Sequence, residues 1–311
     1  MLSRVADSLY WMSRYMERSD GILRMLKTNY AYSQDDGTDF SWRAVLTIFS
    51  ESSEEQINRI SQNNREVLKY LITDKSNRNS VINIVSNARE NARAVQDNVT
   101  KELWQCLNDY YHLIRSNDLE NAIQYDDPIS VIDELIKQGL YYYGTTEITL
   151  ARDGGYYFIN LGKFLERAMQ SVDTLDVKLR ELDYCLDASE DPSYWKYLLL
   201  SISGYEIFLK SYRSALEPKN VIDQIIWNHS FPRSILYSVT RLKQSFETIK
   251  TDKSAESYKT VSFMIGKLHA QIKYTNMADL ERIGFKKYLQ STKEALGDIG
   301  NALNHYYFAF K

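Results

Sequence analysis

Residues 3–37 read SRVADSLYWMSRYMERSDGILRMLKTNYAYSQDDG, and this stretch decides the fold. Val5, Leu9, Met12, Met16, Ser19, Leu23, Leu26 and Tyr30 recur at alternating steps of four and three, one unbroken stripe on an α-helix. Ser3 is placed to cap its free amides, and Asp35-Asp36-Gly37 to end it. The rest of the chain agrees. Its 311 residues include only 12 Gly and 4 Pro, where average usage is about 7% and 5%. So few chain-breakers cannot supply the turns of a sandwich, a barrel or a doubly wound sheet, so long helices with few loops are expected.

Further along, a second helix follows Ser41 and carries Trp42, Val45, Leu46 and Phe49. Glu51 to Gln56 reads as a polar link, Asn64 to Ile72 as a helix and Asp74 to Asn79 as a loop. Ser80 looks like the cap of one long helix with a stripe from Val81 through Ala92, Val95, Val99 and Leu103 to Ile114. The helix after Asp127-Pro128 is expected to end near Gly139 or Gly144. Pro128, Pro192, Pro218 and Pro232 all suit helix starts, where a missing amide costs nothing. Ile148 to Leu150 is too short to count as a strand, and helices over Ser254 to Asp279 and Phe285 to Phe310 close the chain.

The second half repeats the order of the first. Tyr15-Met16-Glu17-Arg18 is echoed by Phe164-Leu165-Glu166-Arg167, Trp42 by Trp195, and Leu71, Ser80 and Val81 by Ile225, Ser234 and Ile235. Such ordered matches suggest an internal duplication. The expected fold is all-α, a long-helix bundle built from two internally similar halves, 1–150 and 151–311, packed as one α-helical unit.

Several functions are disfavoured. Thirty-eight Lys and Arg against 41 Asp and Glu, with no basic block, do not make a nucleic-acid binder. No apolar run approaches a membrane span, and Arg4 and Asp7 interrupt any signal-peptide core, so a cytoplasmic protein is expected. Cys106 and Cys185 form no metal spacing. His112, His229, His269 and His305 are scattered, and no Glu-x-x-His pair is present. Gly154-Gly155 is an isolated pair, not a phosphate loop, and no nucleophile motif occurs. No metal and no cofactor are expected.

What stands out is charge at helical spacing. Tyr10, Arg14, Glu17, Gly21 and Arg24 share one line of the first helix. Lys163, Glu166 and Arg167 make the equivalent line, preceded by Arg152-Asp153-Gly154-Gly155. Arg89, Glu90, Asn91, Arg93 and Asp97 lie within three turns, with Arg93 and Asp97 four apart. In a functional reading these lines converge on an interior cleft, where arginines clamp a carboxylate or phosphate and Glu17 and Glu166 orient them or take a proton. In a structural reading they are inter-helix ion pairs that fix packing.

The residues MLSRVADSLYWMSRYMER at 1–18 resemble the opening of the bacterial alpha-E domain family. The resemblance continues through NARENAR at 87–93 with Asp97 and Glu102-Leu103-Trp104, through Arg152-Asp153-Gly154-Gly155 and Gly162 to Arg167, and through Pro232-Arg233-Ser234. Ser13 stands where that family usually has Gly, and Gln96 and Lys163 where Arg is common. The resemblance implies an all-helical protein encoded beside a circularly permuted ATP-grasp protein and a transglutaminase-like protein, hence a pathway making or cutting amide bonds. It makes Arg14, Arg18, Arg89, Asn91, Arg93, Asp97, Arg152, Asp153, Arg167 and Arg233 candidate binding residues. Glu17 and Glu166 are the candidate catalytic or orienting carboxylates. A binding partner of the ligase, an enzyme using one of these glutamates as base, and a helical scaffold are the three readings.

Overall fold

A computed structural model describes residues 3–34, 41–186, 192–213, 216–249, 253 and 255–308. These form sixteen α-helices and no strand. Two compact units are resolved, one of residues 11–151 and one of residues 1–10 with 152–311.

Helix α1 (Ser3–Tyr32) follows the expected stripe, with Leu9, Met12, Met16, Leu23 and Leu26 buried. It also buries Ser13, Arg14, Glu17, Ser19 and Asp20, so it is enclosed on several faces. Ser3 lies inside its first turn, and the expected stop at Asp35-Asp36-Gly37 lies outside the described residues.

In the unit of residues 11–151, α2 (Arg43–Phe49) and α4 (Asn64–Ile72) fall where the sequence places them. Between them a helix, α3 (Glu54–Ile60), begins inside the expected polar link of Glu51 to Gln56 and runs past its end. Ser53 caps it by accepting from the Gln56 amide at 3.3 Å, and Ile57 and Ile60 are its only buried anchors. Two anchors make no stripe. The single long helix expected from Val81 to Ile114 is two, α5 (Val81–Ala94) and α6 (Lys101–Ile114), joined through a 3₁₀ turn at Gln96–Asn98. Thr100 restarts the chain by accepting from the Leu103 amide at 3.2 Å. The stripe survives the break because α5 and α6 bury their apolar faces against each other. Next come α7 (Asn117–Tyr125) and α8 (Pro128–Thr149), which packs on α6 and α7. Helix α8 runs through Gly139 and Gly144 instead of ending there. Neither takes the positive φ of a helix stop, which among described glycines only Gly284 has.

In the other unit, α9 (Gly154–Glu181), α13 (Ile235–Thr248), α14 (Glu256–Tyr274) and α16 (Phe285–Leu303) form a four-helix bundle. Helices α13 and α16 each pack against both α9 and α14. The shorter helices are α10 (Pro192–Ser201), α11 (Tyr205–Tyr212), α12 (Pro218–Ile226) and α15 (Met277–Ile283). The helix expected over Ser254 to Asp279 is thus two, divided at Thr275, while Ser254 and Phe310 lie outside the described residues. Pro128, Pro192 and Pro218 open their helices. Pro232 instead sits in a turn closed by the Ser234 amide on the Phe231 carbonyl at 2.9 Å, and Ser234 then caps α13. A closing π turn, Asn304–Phe308, sets Phe308 against Tyr10 of α1, ring centroids 4.9 Å apart.

Candidate functional site

The polar line of α1 is an interior feature. Glu17 is fully buried, and Tyr143 of α8 donates its phenol to Glu17 Oε2 at 2.6 Å. One turn on, buried Asp20 accepts from Arg24 Nε at 2.8 Å. Burial alone would lower the Arg24 pKa, but Asp20, through its charge and hydrogen bond, with Tyr143 and Glu17 behind it, holds it above the ordinary value. Arg14 is nearly buried, its guanidinium 4.7 Å from the centre of the Trp11 ring. Arg18 is half-buried and donates to Asn79 Oδ1 at 3.5 Å. Glu17 therefore points inward, and its neighbour Arg18, about 100° round the helix, reaches the boundary with solvent.

The second Glu-Arg line, on α9, has the same polarity. Glu166 is 4% exposed and Arg167 is half-buried. Two turns beyond Glu166, Asp173 accepts from Lys293 of α16 at 2.6 Å. Burial pushes the Asp173 carboxyl up, Lys293 pulls it down, and the charge of Glu166 pushes it up again. Beside Glu166, the Phe164 ring has three cations near it: Lys163 at 4.7 Å, Arg167 at 5.5 Å and Arg241 at 5.7 Å from its centroid. Arg167 also donates to the Pro232 carbonyl at 3.4 Å. The Arg233 carbonyl accepts from Ser171 at 2.7 Å, which ties the Pro232-Arg233-Ser234 turn to α9.

The remaining candidates are not interior. Arg93 is 63% exposed and pairs with Glu90 at 3.3 Å, not with Asp97, because α5 ends at Ala94 and Asp97 belongs to the exposed turn beyond it. Asn91 donates to the Asn87 carbonyl of its own helix. Arg89 packs against Trp104 and Tyr111 of α6 and donates to Asn108 at 2.9 Å, which joins α5 to α6. Arg152 is exposed and lies over the Tyr156 ring at 4.0 Å. Asp153 is also exposed and caps α9, accepting from the amides of Gly155 at 2.9 Å and Tyr156 at 3.4 Å. Asp153→Ala is expected to cost about 1 kcal/mol in a urea unfolding experiment, the worth of an N-cap; a loss near zero would leave the cap without consequence.

Two features escaped the sequence reading. An open groove of about 770 Å³ runs between α6 and α8, lined by Gln105, Cys106, Tyr141, Gly144, Thr145 and Ile148 among others. Burial, with Asp109 nearby, pushes the Cys106 thiol up to about 11, so it stays protonated at neutral pH and is a poor nucleophile. The second is a polar pocket at the loop 74–79. Neither depends on a motif, so only packing reveals them. Among the described residues no group of three His, Cys, Asp or Glu could hold a metal ion, and no helix is long and apolar enough to cross a membrane.

No curated protein and no solved structure matches the chain. Residues 1–308 match the Alpha-E family, described as a predicted alpha-helical domain with a conserved ER motif. Glu-Arg dipeptides occur at 17–18, 166–167 and 281–282. Glu281, on the short α15, is 46% exposed, whereas the first two glutamates are the buried ones described above. With its helices, its paired buried glutamates and a match over nearly its whole length, the chain belongs to the Alpha-E family.

Proposed function

We propose that this protein is the helical, non-nucleotide-binding component of a bacterial ATP-grasp-associated amide or peptide ligation or modification system. It holds an anionic or peptide-like substrate, or the circularly permuted ATP-grasp protein itself, at arginines set beside buried glutamates. A transglutaminase-like protein acts in the same pathway, and the setting is the cytoplasm. The observation that carries this reading is the gathering of Lys163, Arg167 and Arg241 around Phe164 next to Glu166. Three cations around one ring make a locally positive potential that favours an anion beside them. The Tyr143 hydrogen bond to Glu17 Oε2 supports an orienting role for that carboxylate, because it fixes the position of the group inside the helices.

The two halves are, in this reading, products of internal duplication. Helices α4 and α12 have 9 residues each, and α5 and α13 have 14 each. Ser80 and Ser234 hold the same N-cap position. The pairs α2–α3, α3–α4, α4–α5, α5–α6, α6–α8 and α7–α8 recur as α10–α11, α11–α12, α12–α13, α13–α14, α14–α16 and α15–α16.

The test is capture of the neighbouring ATP-grasp protein by the tagged full chain at micromolar concentration, with and without glutamate as an anionic peptide surrogate. Capture is expected, and Arg241→Glu, at an exposed position, is expected to weaken it or the surrogate's binding at least tenfold. Absence of both interactions, or indifference to Arg241→Glu, overturns the reading.

A further inference from the structure

The loop 74–79 is held open as a pocket. Asp74 Oδ1 accepts from the Ser76 amide at 2.7 Å, and Asn77, 5% exposed, donates to the Tyr70 carbonyl at 3.2 Å while accepting from the Asn79 amide at 3.0 Å. Asn83 secures the same loop from α5 by donating to the carbonyls of Lys75 and Asn77. Across from it, Ser52 and Tyr70 share a hydroxyl hydrogen bond of 2.6 Å. The pocket is about 230 Å³ in volume and is lined by Glu51, Ser52, Gln56, Tyr70 and residues 76–79. That lining holds no aliphatic side chain, so an apolar ligand finds nothing there to replace its water. At about 30 Å³ for each water, the space holds roughly eight waters, the size of one amino acid.

The charges in the lining set the ligand class. Glu51 and Arg78 are exposed, and neither makes an ion pair with another described residue. One anion and one cation in a pocket otherwise built of amides and hydroxyls suit a molecule carrying both an ammonium and a carboxylate. We infer that the pocket formed by Glu51, Tyr70 and the loop 76–79 binds a free α-amino acid as its zwitterion, the carboxylate on Arg78 and the ammonium on Glu51. Asn77, through its bonds to Tyr70 and to the Asn79 amide, fixes the loop that carries Arg78. Through its hydrogen bond to Asn79, Arg18 ties the pocket to α1, so it serves as a positioning residue. The inference does not depend on the ligation reading, because it concerns one pocket and one ligand class.

The experiment is isothermal titration calorimetry of the full chain against L-glutamine, L-glutamate and L-alanine, with propionate, propylamine and glucose as controls. At least one amino acid is expected to bind at least tenfold more tightly than every control. Arg78→Ala and Glu51→Ala, both at exposed positions, should each lower that affinity about tenfold while leaving the helical circular dichroism unchanged. Arg18→Lys should weaken binding less, while shifting the amide resonances of Asn77 and Asn79 in the absence of ligand. Binding of glucose alone, of propionate as tightly as any amino acid, of no compound, or with unchanged affinity in Arg78→Ala would each overturn the assignment.

Discussion

Glu17→Ala is expected to destabilise the protein by about 3–5 kcal/mol, the cost of removing one member of a buried charged arrangement. Three losses combine. The Tyr143 phenol loses the acceptor it holds at 2.6 Å, Arg24 loses one of the negative charges that support its cation, and a fully buried side chain leaves a cavity. Two milder variants separate these contributions. Glu17→Gln keeps the volume and one oxygen acceptor while exchanging the other oxygen for an amide donor and removing the charge, so it should cost clearly less than alanine. Tyr143→Phe leaves the carboxylate without that donor and should cost about 1.5–3 kcal/mol, as expected for a hydrogen bond to a charged group. Urea unfolding followed by circular dichroism reads all three. An alanine variant within 1 kcal/mol of the parent would mean that Glu17 is not held in a dry interior. A Gln variant that folds well yet loses ligation output would show a role beyond packing.

This ranking was partly visible in the residues themselves. Arg14, Glu17 and Arg24 share a line beside an apolar stripe, and the stripe shows which face turns inward. Helical class followed from the poverty of Gly and Pro, because each absent breaker removes a possible turn. The partner of Glu17 was not visible. Tyr143 is distant in sequence and stands in a run of three tyrosines, of which Tyr141 is exposed and Tyr142 buried. Only the rotation of α8 distinguishes them.

Arg93 and Asp97 show the opposite error. Their spacing has meaning only on a continuous helix, and the apolar pattern of Val95, Val99 and Leu103 runs across a break without changing period. Pattern reports which side chains are buried, not whether the backbone between them is helical. Asp153 was legible as an unusual polar residue before a pair of glycines, but its Oδ1 is spent on two amides of α9. The loop 74–79 was legible as a loop, and its pocket was not, because the walls come from Tyr70 and from the segment before α3.

The paired tryptophans provide the second large effect. Trp42 is 2% exposed and Trp195 is 1% exposed, so alanine at either position should cost about 3–5 kcal/mol by transfer and cavity formation. Phenylalanine separates them, since it retains most of the apolar volume and removes only the indole N–H. Trp42 Nε1 donates to Asn64 Oδ1 at 2.7 Å, and Asn64 in turn donates to Ser33 at 3.0 Å, so Trp42→Phe breaks a chain that joins the ends of α1 and α4. Trp195 Nε1 is buried with no hydrogen-bond partner among the described residues, so Trp195→Phe removes a donor already deprived of water. An unsatisfied buried polar group costs about 1–3 kcal/mol. Trp42→Phe should therefore be the more damaging of the two by about 1–2 kcal/mol in urea midpoints converted at a common m-value. Equal losses would mean that the Trp195 indole is hydrogen-bonded after all. A larger loss at Trp195 would mean that ring shape, not the N–H, governs the site. If the halves are duplicates, the retained aromatic mass is the shared inheritance, and the hydrogen bond at Trp42 distinguishes one copy from the other.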